Sequence, residues 1–225
     1  MPLSRRHLLA FISIAAFAMN GIGFAQTQDQ SAMLLQAASE GDAGKVRQLL
    51  VEGAPVDTRD AARRTPLLLA TRANHPQVAR LLIDAGADVN AKDNIRDTPF
   101  LYAGAEGRNE ILTMILATGK ADLRDTNRYG GNALIPAAHH GHPQAVRILL
   151  DAGLDIDHVN RLGWTALLET VILGDGGPVY QEIARMLVEA GADPAIADRE
   201  GVTPLEHALA RGHEEIAAII RSPGR

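Results

Sequence analysis

Thr65-Pro66-Leu67 decides the fold, because this short stretch begins a unit that returns along the chain. Successive copies are separated by 33, 34, 33 and 38 residues. The later copies are Thr98-Pro99-Phe100, Asn132-Ala133-Leu134, Thr165-Ala166-Leu167 and Thr203-Pro204-Leu205. A period near 33 residues indicates a repeat architecture, in which each unit is one small motif that stacks on its neighbours.

Each unit carries the signals of two short helices. Thr caps a helix N-terminus well because its hydroxyl accepts from an unpaired backbone N–H, and Pro at the next position loses no hydrogen bond. The first helix of the first full copy is therefore predicted to run from Pro66 to about Ala73. A second helix follows and ends at a glycine, the residue that adopts a left-handed conformation most easily. These glycines are Gly53, Gly86, Gly119, Gly153 and Gly191.

The repeats predict an all-α solenoid of about six stacked helix-turn-helix units, joined by β-turn fingers. We predict one elongated domain at residues 26–225, with no low-complexity linker inside it. The predicted units are residues 31–60, 61–93, 94–127, 128–160, 161–198 and 199–225.

Residues 1–25 have the pattern of a secretory signal peptide. Arg5 and Arg6 precede an apolar stretch that ends at Phe24, and Gly23-Phe24-Ala25 fits a small-x-small cleavage site before Gln26. The adjacent arginines also resemble a twin-arginine signal, and an ordinary Sec signal is the alternative. We expect a periplasmic or secreted mature protein with no membrane anchoring, since the sequence has no Cys to carry a lipid.

The composition limits the classes of partner and of catalytic site that the chain can have. The chain has no Cys, which excludes disulfides, thiolate metal sites and a Cys nucleophile. Loss of Arg5 and Arg6 with the signal peptide would take the formal net charge from −5 to −7. A charge of this sign argues against nonspecific binding to nucleic acid or to an anionic membrane.

No catalytic motif is present in the sequence. It lacks G-x-S-x-G, H-E-x-x-H and a P-loop, and its acids recur at repeat-defined places that suit solvated edges and turns. His139-His140-Gly141-His142 is the stretch most like a metal site, but His142 is expected to brace the turn, as are His75 and His213. His139 and His140 leave a short helix in different directions. We predict no catalytic residue, no cofactor and no bound metal, with a metal-dependent enzyme as a remote alternative.

The units resemble the ankyrin-repeat family across residues 31–221. Three stretches carry a narrower likeness to exported bacterial ankyrin-repeat proteins: NRYGGNALIPAAHHGH at 127–142, NRLGWTALLE at 160–169 and GDGGP at 174–178. Some of those proteins are associated with periplasmic defence against peroxide, in support of catalase. The resemblance therefore implies a binding scaffold without catalytic activity, or, as an alternative, an accessory factor for oxidative-stress defence.

The ankyrin-repeat family binds partners through its fingers and the inner face of its first helices. Transferred to this chain, the resemblance implies a site on the central units for an unknown periplasmic protein. Tyr, Trp and Arg are the usual anchors of interface hot spots, which favours the fingers that carry them. The predicted partner-binding residues are Arg128, Tyr129, His139, His140, Arg161, Leu162, Trp164, Ile172 and Leu173.

Two features of this region have more than one interpretation. Trp164 lies at a position that normally faces outward, so it either anchors a partner or folds back over Leu162 to cover the neighbouring unit. The fifth copy holds five residues beyond 33, around Gly174 to Tyr180. This insertion is either a tolerated loop extension or a loop that contacts the partner.

Overall fold

The computed structural model of the chain describes residues 28–222, and throughout that range the regular elements are helices, with no strand. The predicted signal peptide at residues 1–25 lies outside the described residues. Within them, no helix is both long enough and apolar enough to cross a membrane. The prediction of an all-α solenoid is confirmed.

The helices form six successive pairs. The first helices of the pairs are α1 (28–40), α3 (Pro66–Ala73), α5 (Pro99–Ala105), α7 (Leu134–His139), α9 (Ala166–Leu173) and α11 (Pro204–Ala210). The second helices are α2 (Ala43–Val51), α4 (Pro76–Asp84), α6 (Asn109–Ala117), α8 (Pro143–Asp151), α10 (Pro178–Glu189) and α12 (Glu214–Arg221).

The pairs stack in two layers. Helices α3, α5, α7, α9 and α11 contact one another in that order, and α2, α4, α6, α8, α10 and α12 form a second row beside them. Buried aliphatic side chains from both rows join into one continuous core that extends from Leu34 in α1 to Ile220 in α12. Each unit therefore buries its apolar face against its neighbours.

The predicted threonine caps are present in the structure. The hydroxyl oxygens of Thr65, Thr98, Thr165 and Thr203 accept from the backbone N–H three residues later, at 3.0 to 3.3 Å. Asn132 replaces Thr and caps with its Oδ1, which accepts from Leu134 N at 3.1 Å. The helix α7 accordingly begins at Leu134, so Pro136 lies in its first turn, where its missing N–H breaks no helical hydrogen bond.

Every finger between units is held by one polar side chain at its base. In each case Oδ1 accepts from the backbone N–H groups two and four residues later, at distances from 2.8 to 3.1 Å. An Asp or Asn favours such local turns because its short side chain reaches its own backbone. The five residues are Asp60, Asp93, Asn127, Asn160 and Asp198.

Turn histidines brace neighbouring units, as the sequence predicts. The ring of His75 lies against Gly41 of the preceding unit, and its Nε2 is 3.2 Å from Ser39 O. A Cβ added to Gly41 would approach that ring to 2.7 Å, so the close contact requires glycine. The rings of His142 and His213 pack against Gly107 and Gly176, although His213 Nδ1 is buried without a hydrogen-bond partner.

Phe100 tests the dependence of the fold on the shared core. Its side chain is fully buried between units, so Phe100→Ala is expected to lower the free energy of unfolding by about 3–5 kcal/mol. The matched control is Val51→Ala in α2, where the side chain is 83% exposed and a change within about 0.5 kcal/mol is expected. Urea denaturation measures both, and similar losses in the two variants would contradict the described packing.

Candidate partner-binding site

The inner helices and fingers of the central units enclose a cavity of about 560 Å³ on one side of the stack. Its walls come from α3, α5, α7 and α9 and from the three fingers that precede α5, α7 and α9. Cavities of this size are typical of sites that hold small molecules. The walls are mixed, since aliphatic and aromatic groups alternate with charged ones.

Six of the nine predicted partner-binding residues line this cavity. They are Arg128, Tyr129, His139, His140, Leu162 and Leu173. The fingers bring the first two and Leu162 to the rim, and the C-terminal ends of α7 and α9 supply the others. The spacing of the repeats therefore places residues from three successive units around one cavity.

The other three predicted residues lie outside the cavity lining. Arg161 is used between fingers: its backbone N–H donates to Tyr129 O at 2.9 Å, and its Nη1 donates to Arg128 O at 3.1 Å. Trp164 is half-buried, and its backbone N–H donates to Asn160 Oδ1 at 3.1 Å. Ile172 is half-buried on α9.

One end of the cavity holds two arginines that already have partners. The guanidinium of Arg72 lies 4.6 Å from the centre of the Tyr102 ring, and its Nη1 is 3.4 Å from Asp97 Oδ2. Arg128 lies 4.8 Å from the centre of the Tyr129 ring. These cation–π contacts hold both arginines against the wall. Burial raises the pKa of Asp97, and the charges of Arg128 and Arg72 partly oppose that rise.

Glu169 lies at the other end of the cavity and is buried. Glu169 is only 6% exposed, and its Oε1 accepts from Asn160 Nδ2 at 2.8 Å. Its Oε2 is 3.6 Å from His139 Nδ1. Burial raises the pKa of Glu169 to about 7, and the hydrogen bond from Asn160 only partly offsets this.

His139 and His140 lie in the cavity lining at the C-terminal end of α7. Burial, together with the neighbouring His140, holds the pKa of His139 below its ordinary value. His140 Nδ1 is 2.8 Å from Ala105 O, and because a carbonyl oxygen can only accept, that nitrogen carries the proton. Its 3.6 Å approach to Glu106 Oε1 is the weaker contact.

The stretch from His139 to His142 does not converge on one point. The ring centres of His139 and His140 are 4.9 Å apart, and those of His140 and His142 are 6.2 Å apart. His142 instead lies against Gly107. Within residues 28–222, no three His, Asp or Glu side chains are arranged to hold a metal ion.

The insertion in the fifth unit folds back onto the repeats. It lengthens the second helix, since α10 has 12 residues where α4, α6 and α8 have nine. Tyr180 lies against Gly141 and Gly174, and its hydroxyl donates to His139 O at 3.0 Å. The inserted segment therefore holds the C-terminal end of α7, which carries His139 into the cavity.

Sequence reasoning missed Glu169 and Asn160 as members of the site. The sequence marks both residues as departures from the repeat. Asn160 replaces the Asp found in three of the five fingers. Glu169 lies four residues after its helix cap, where α3 has Leu69. In the next unit, the finger base is the acid and the residue four after the cap is a histidine. There, Asp198 Oδ2 is 2.7 Å from His207 Nε2.

Family comparisons agree with this architecture. A family model described as ankyrin repeats (3 copies) matches residues 14–93, 34–127 and 100–198. A second, described as ankyrin repeats (many copies), matches residues 180–219. The ankyrin repeat protein YahD of Escherichia coli (strain K12) is 43% identical over 106 residues, which cover 47% of this chain and 53% of YahD. The chain therefore matches about half the length of that relative.

Two solved structures extend the comparison over most of the chain. An ankyrin repeat domain from Acinetobacter baumannii AYE is 51% identical, with a TM-score of 0.81 over 85% of this chain and 97% of that one. The ankyrin repeat domain of Bcl-3, a member of the IkappaB protein family, is 28% identical. Its TM-score is 0.76, over 85% of this chain and 86% of that domain.

Glu169 is expected to make stability depend on pH. Its raised pKa means that the folded protein binds this proton more tightly than the unfolded chain. Its contribution is therefore fully present below the ordinary pKa of 4.5 and is lost as the pH rises through about 7. We expect Glu169→Gln, which cannot ionise, to be more stable than the natural chain at pH 8, by on the order of 1–3 kcal/mol.

Urea denaturation at pH 4.5 and pH 8 measures this effect. The control is Glu182→Gln, because the Glu182 side chain is 55% exposed and its charge is solvated in both states. An advantage for Glu169→Gln at pH 8 that shrinks towards pH 4.5, and is absent from the control, is the expected result. Equal pH profiles for the two variants would contradict the burial of Glu169.

Proposed function

Because this chain belongs to the ankyrin-repeat family, whose fold is a general protein–protein interaction fold, we propose that it is an exported scaffold without catalytic activity. It binds a protein partner through the β-turn fingers and the concave face of its central units. The observation that carries this proposal is the apolar lining of the cavity. Four of the large exposed hydrophobic side chains line it: Ile95, Tyr129, Leu162 and Leu173, each between 42% and 54% exposed.

The grouping of these side chains supports binding more strongly than their exposure does. Single exposed hydrophobic residues are ordinary on protein surfaces, but several around one concavity are typical of an interaction site. Tyr129 is also held in place by its neighbour Arg128, with the guanidinium over its ring. An aromatic residue that is exposed and already ordered is a suitable interface anchor.

The rigidity of the fingers supports the same proposal. Asn127 and Asn160 each hold two backbone N–H groups of the fingers that carry Tyr129 and Leu162. Arg161 then joins the two fingers through hydrogen bonds to Tyr129 O and Arg128 O. A surface that is ordered before binding loses less conformational entropy when the partner arrives.

Partner capture tests the concave site. We expect Tyr129→Ala/Leu162→Ala to reduce capture of the partner from a periplasmic extract at least about tenfold, because it removes two exposed anchors and leaves the core intact. Val51→Ala is the control, since Val51 is exposed and lies outside the cavity. Thermal unfolding checks that both variants stay folded. Equal capture by the two variants would overturn the concave site.

The identity of the captured protein also tests the accessory role. If it is a peroxide-detoxifying enzyme, the role implied by the resemblance to exported bacterial ankyrin-repeat proteins gains direct support. Deletion of the gene should then raise sensitivity to peroxide, and only exported protein should restore resistance. Full rescue by protein confined to the cytoplasm would contradict a role outside it.

Export has its own test. We expect the mature protein to be found in the periplasm or medium with Gln26 as its first residue, which N-terminal sequencing checks. Arg5→Lys/Arg6→Lys separates the two routes, because a twin-arginine signal loses function without its arginine pair and a Sec signal needs only positive charge. Full-length chain retained in the cytoplasm would contradict export altogether.

A further inference from the structure

Glu169 is the most buried of the three carboxylates in the cavity lining: its side chain is 8% exposed, against 16% for Asp97 and 36% for Glu106. Asp97 has Arg72 at 3.4 Å, whereas the sole ion-pair contact of Glu169 within residues 28–222 is His139, at 3.6 Å. The pKa of that histidine is lowered by burial, so it supplies little positive charge at neutral pH. The cavity therefore has a buried acid with one oxygen, Oε2, that no cation neutralises.

The fold does not require an acid at this position. Three other units place Leu69, Tyr102 and Pro136 at the fourth residue after their caps. A buried carboxylate without a cationic partner is costly, and an apolar side chain would avoid that cost. The local arrangement suits a ligand-binding site, because Asn160 holds Oε1 at 2.8 Å and Oε2 is 3.6 Å from His139, another residue of the cavity lining.

The walls between the rim and Glu169 are suited to a long aliphatic chain. Ile135, Leu162 and Leu173 line the same cavity, and Tyr129 stands at the rim. A lysine or arginine side chain matches this arrangement, since its methylene stem packs on apolar surface and its head needs an acid. The two arginines at the opposite end are held by Tyr102, Asp97 and Tyr129, so an acidic partner finds less free charge there.

We propose that the concave cavity receives an arginine or lysine side chain from the protein partner, with its cationic head at Glu169 Oε2 and its stem along Leu162 and Leu173. This inference rests on the proposed scaffold function and adds the chemistry of the partner. Charge complementarity selects the occupant: the head neutralises an acid that has no cation of its own. Charge-assisted hydrogen bonds of this kind discriminate strongly against a neutral group of the same shape.

Binding of a cation at Glu169 is expected to depend on pH. Three titratable side chains belong to the helices packed against α9. His139 of α7 contacts Glu169, Tyr180 of α10 donates to His139 O, and His207 of α11 is bound to Asp198. A cationic head prefers the ionised form of Glu169, whose pKa burial raises to about 7. Binding should therefore strengthen between pH 6 and pH 8 and release a proton.

Matched peptides test the proposal on the purified protein. Four pentapeptides carry arginine, lysine, citrulline or glutamate at the centre of an otherwise identical blocked glycine-alanine sequence. NMR titration at pH 7.5 should show shifts around Glu169 and Leu173 with the arginine and lysine peptides. The citrulline peptide, which has nearly the same shape but no charge, should bind about tenfold or more weakly.

The matched variant is Glu169→Gln, which keeps the acceptor for Asn160 and removes the charge. It should abolish the preference for arginine over citrulline, whereas Glu182→Gln, on the exposed face of α10, should leave that preference unchanged. Equal binding of the arginine and citrulline peptides, an unchanged preference in Glu169→Gln, or tighter binding of the glutamate peptide would each overturn the proposal.

The peptide titration and the partner capture together distinguish failure of the cationic subsite from failure of the scaffold function. If Tyr129→Ala/Leu162→Ala loses partner capture while the peptides show no dependence on charge, the cationic subsite is wrong and the scaffold function stands. If the arginine peptide binds at Glu169 but the same double variant captures the partner normally, the concave protein-binding function is wrong.

Discussion

Everything in this molecule depends on the fact that one helix pair cannot bury its apolar face alone. Six pairs share a core that is continuous from α1 to α12, so the position of each unit is set by contact with the next. Because every unit has the same geometry, equivalent residues form rows along the stack. The inward positions of the first helices form one such row, which lines the concave face. A different residue at one position of that row therefore changes the concave face at that point only.

The row four residues after the helix caps shows how function is added to such a frame. Leu69, Tyr102, Pro136, Glu169 and His207 occupy it in turn. Where the residue is polar, the finger base of the same unit is adapted to it: Asn160 donates to Glu169, and Asp198 faces His207. In both units the finger base keeps its two backbone hydrogen bonds through Oδ1. Oδ1 thus maintains the turn, and the second polar atom of the side chain, Nδ2 in Asn160 or Oδ2 in Asp198, binds the residue four after the cap.

The period of the sequence was enough to predict the architecture, the threonine caps and the bracing role of His75, because each of these follows from local geometry repeated at a fixed spacing. The family resemblance selected Arg128, Tyr129 and Leu162, which the structure places at one cavity, and their role in binding stays a prediction. The period did not predict that Arg161 would bridge two fingers, because the direction of a long side chain depends on the neighbouring unit. Glu169 was missed for a similar reason: its burial results from α7 and from Asn160, and neither contact is visible in the pattern of acids along the chain.

The two ends of the cavity differ in how their charges are balanced, and that difference gives the site its selectivity. At one end, arginines, tyrosines and Asp97 neutralise and order one another, so this end offers shape and apolar surface more than net charge. At the other, Glu169 lies beside His139, whose pKa is lowered by burial and by the neighbouring His140. A partner gains most by bringing the missing charge to that second end, and it can do so only through a side chain long enough to pass the rim formed by Tyr129 and Leu162. A partner side chain therefore needs both length and positive charge. The solenoid creates this requirement by placing Glu169 in the row where the three preceding units have Leu69, Tyr102 and Pro136.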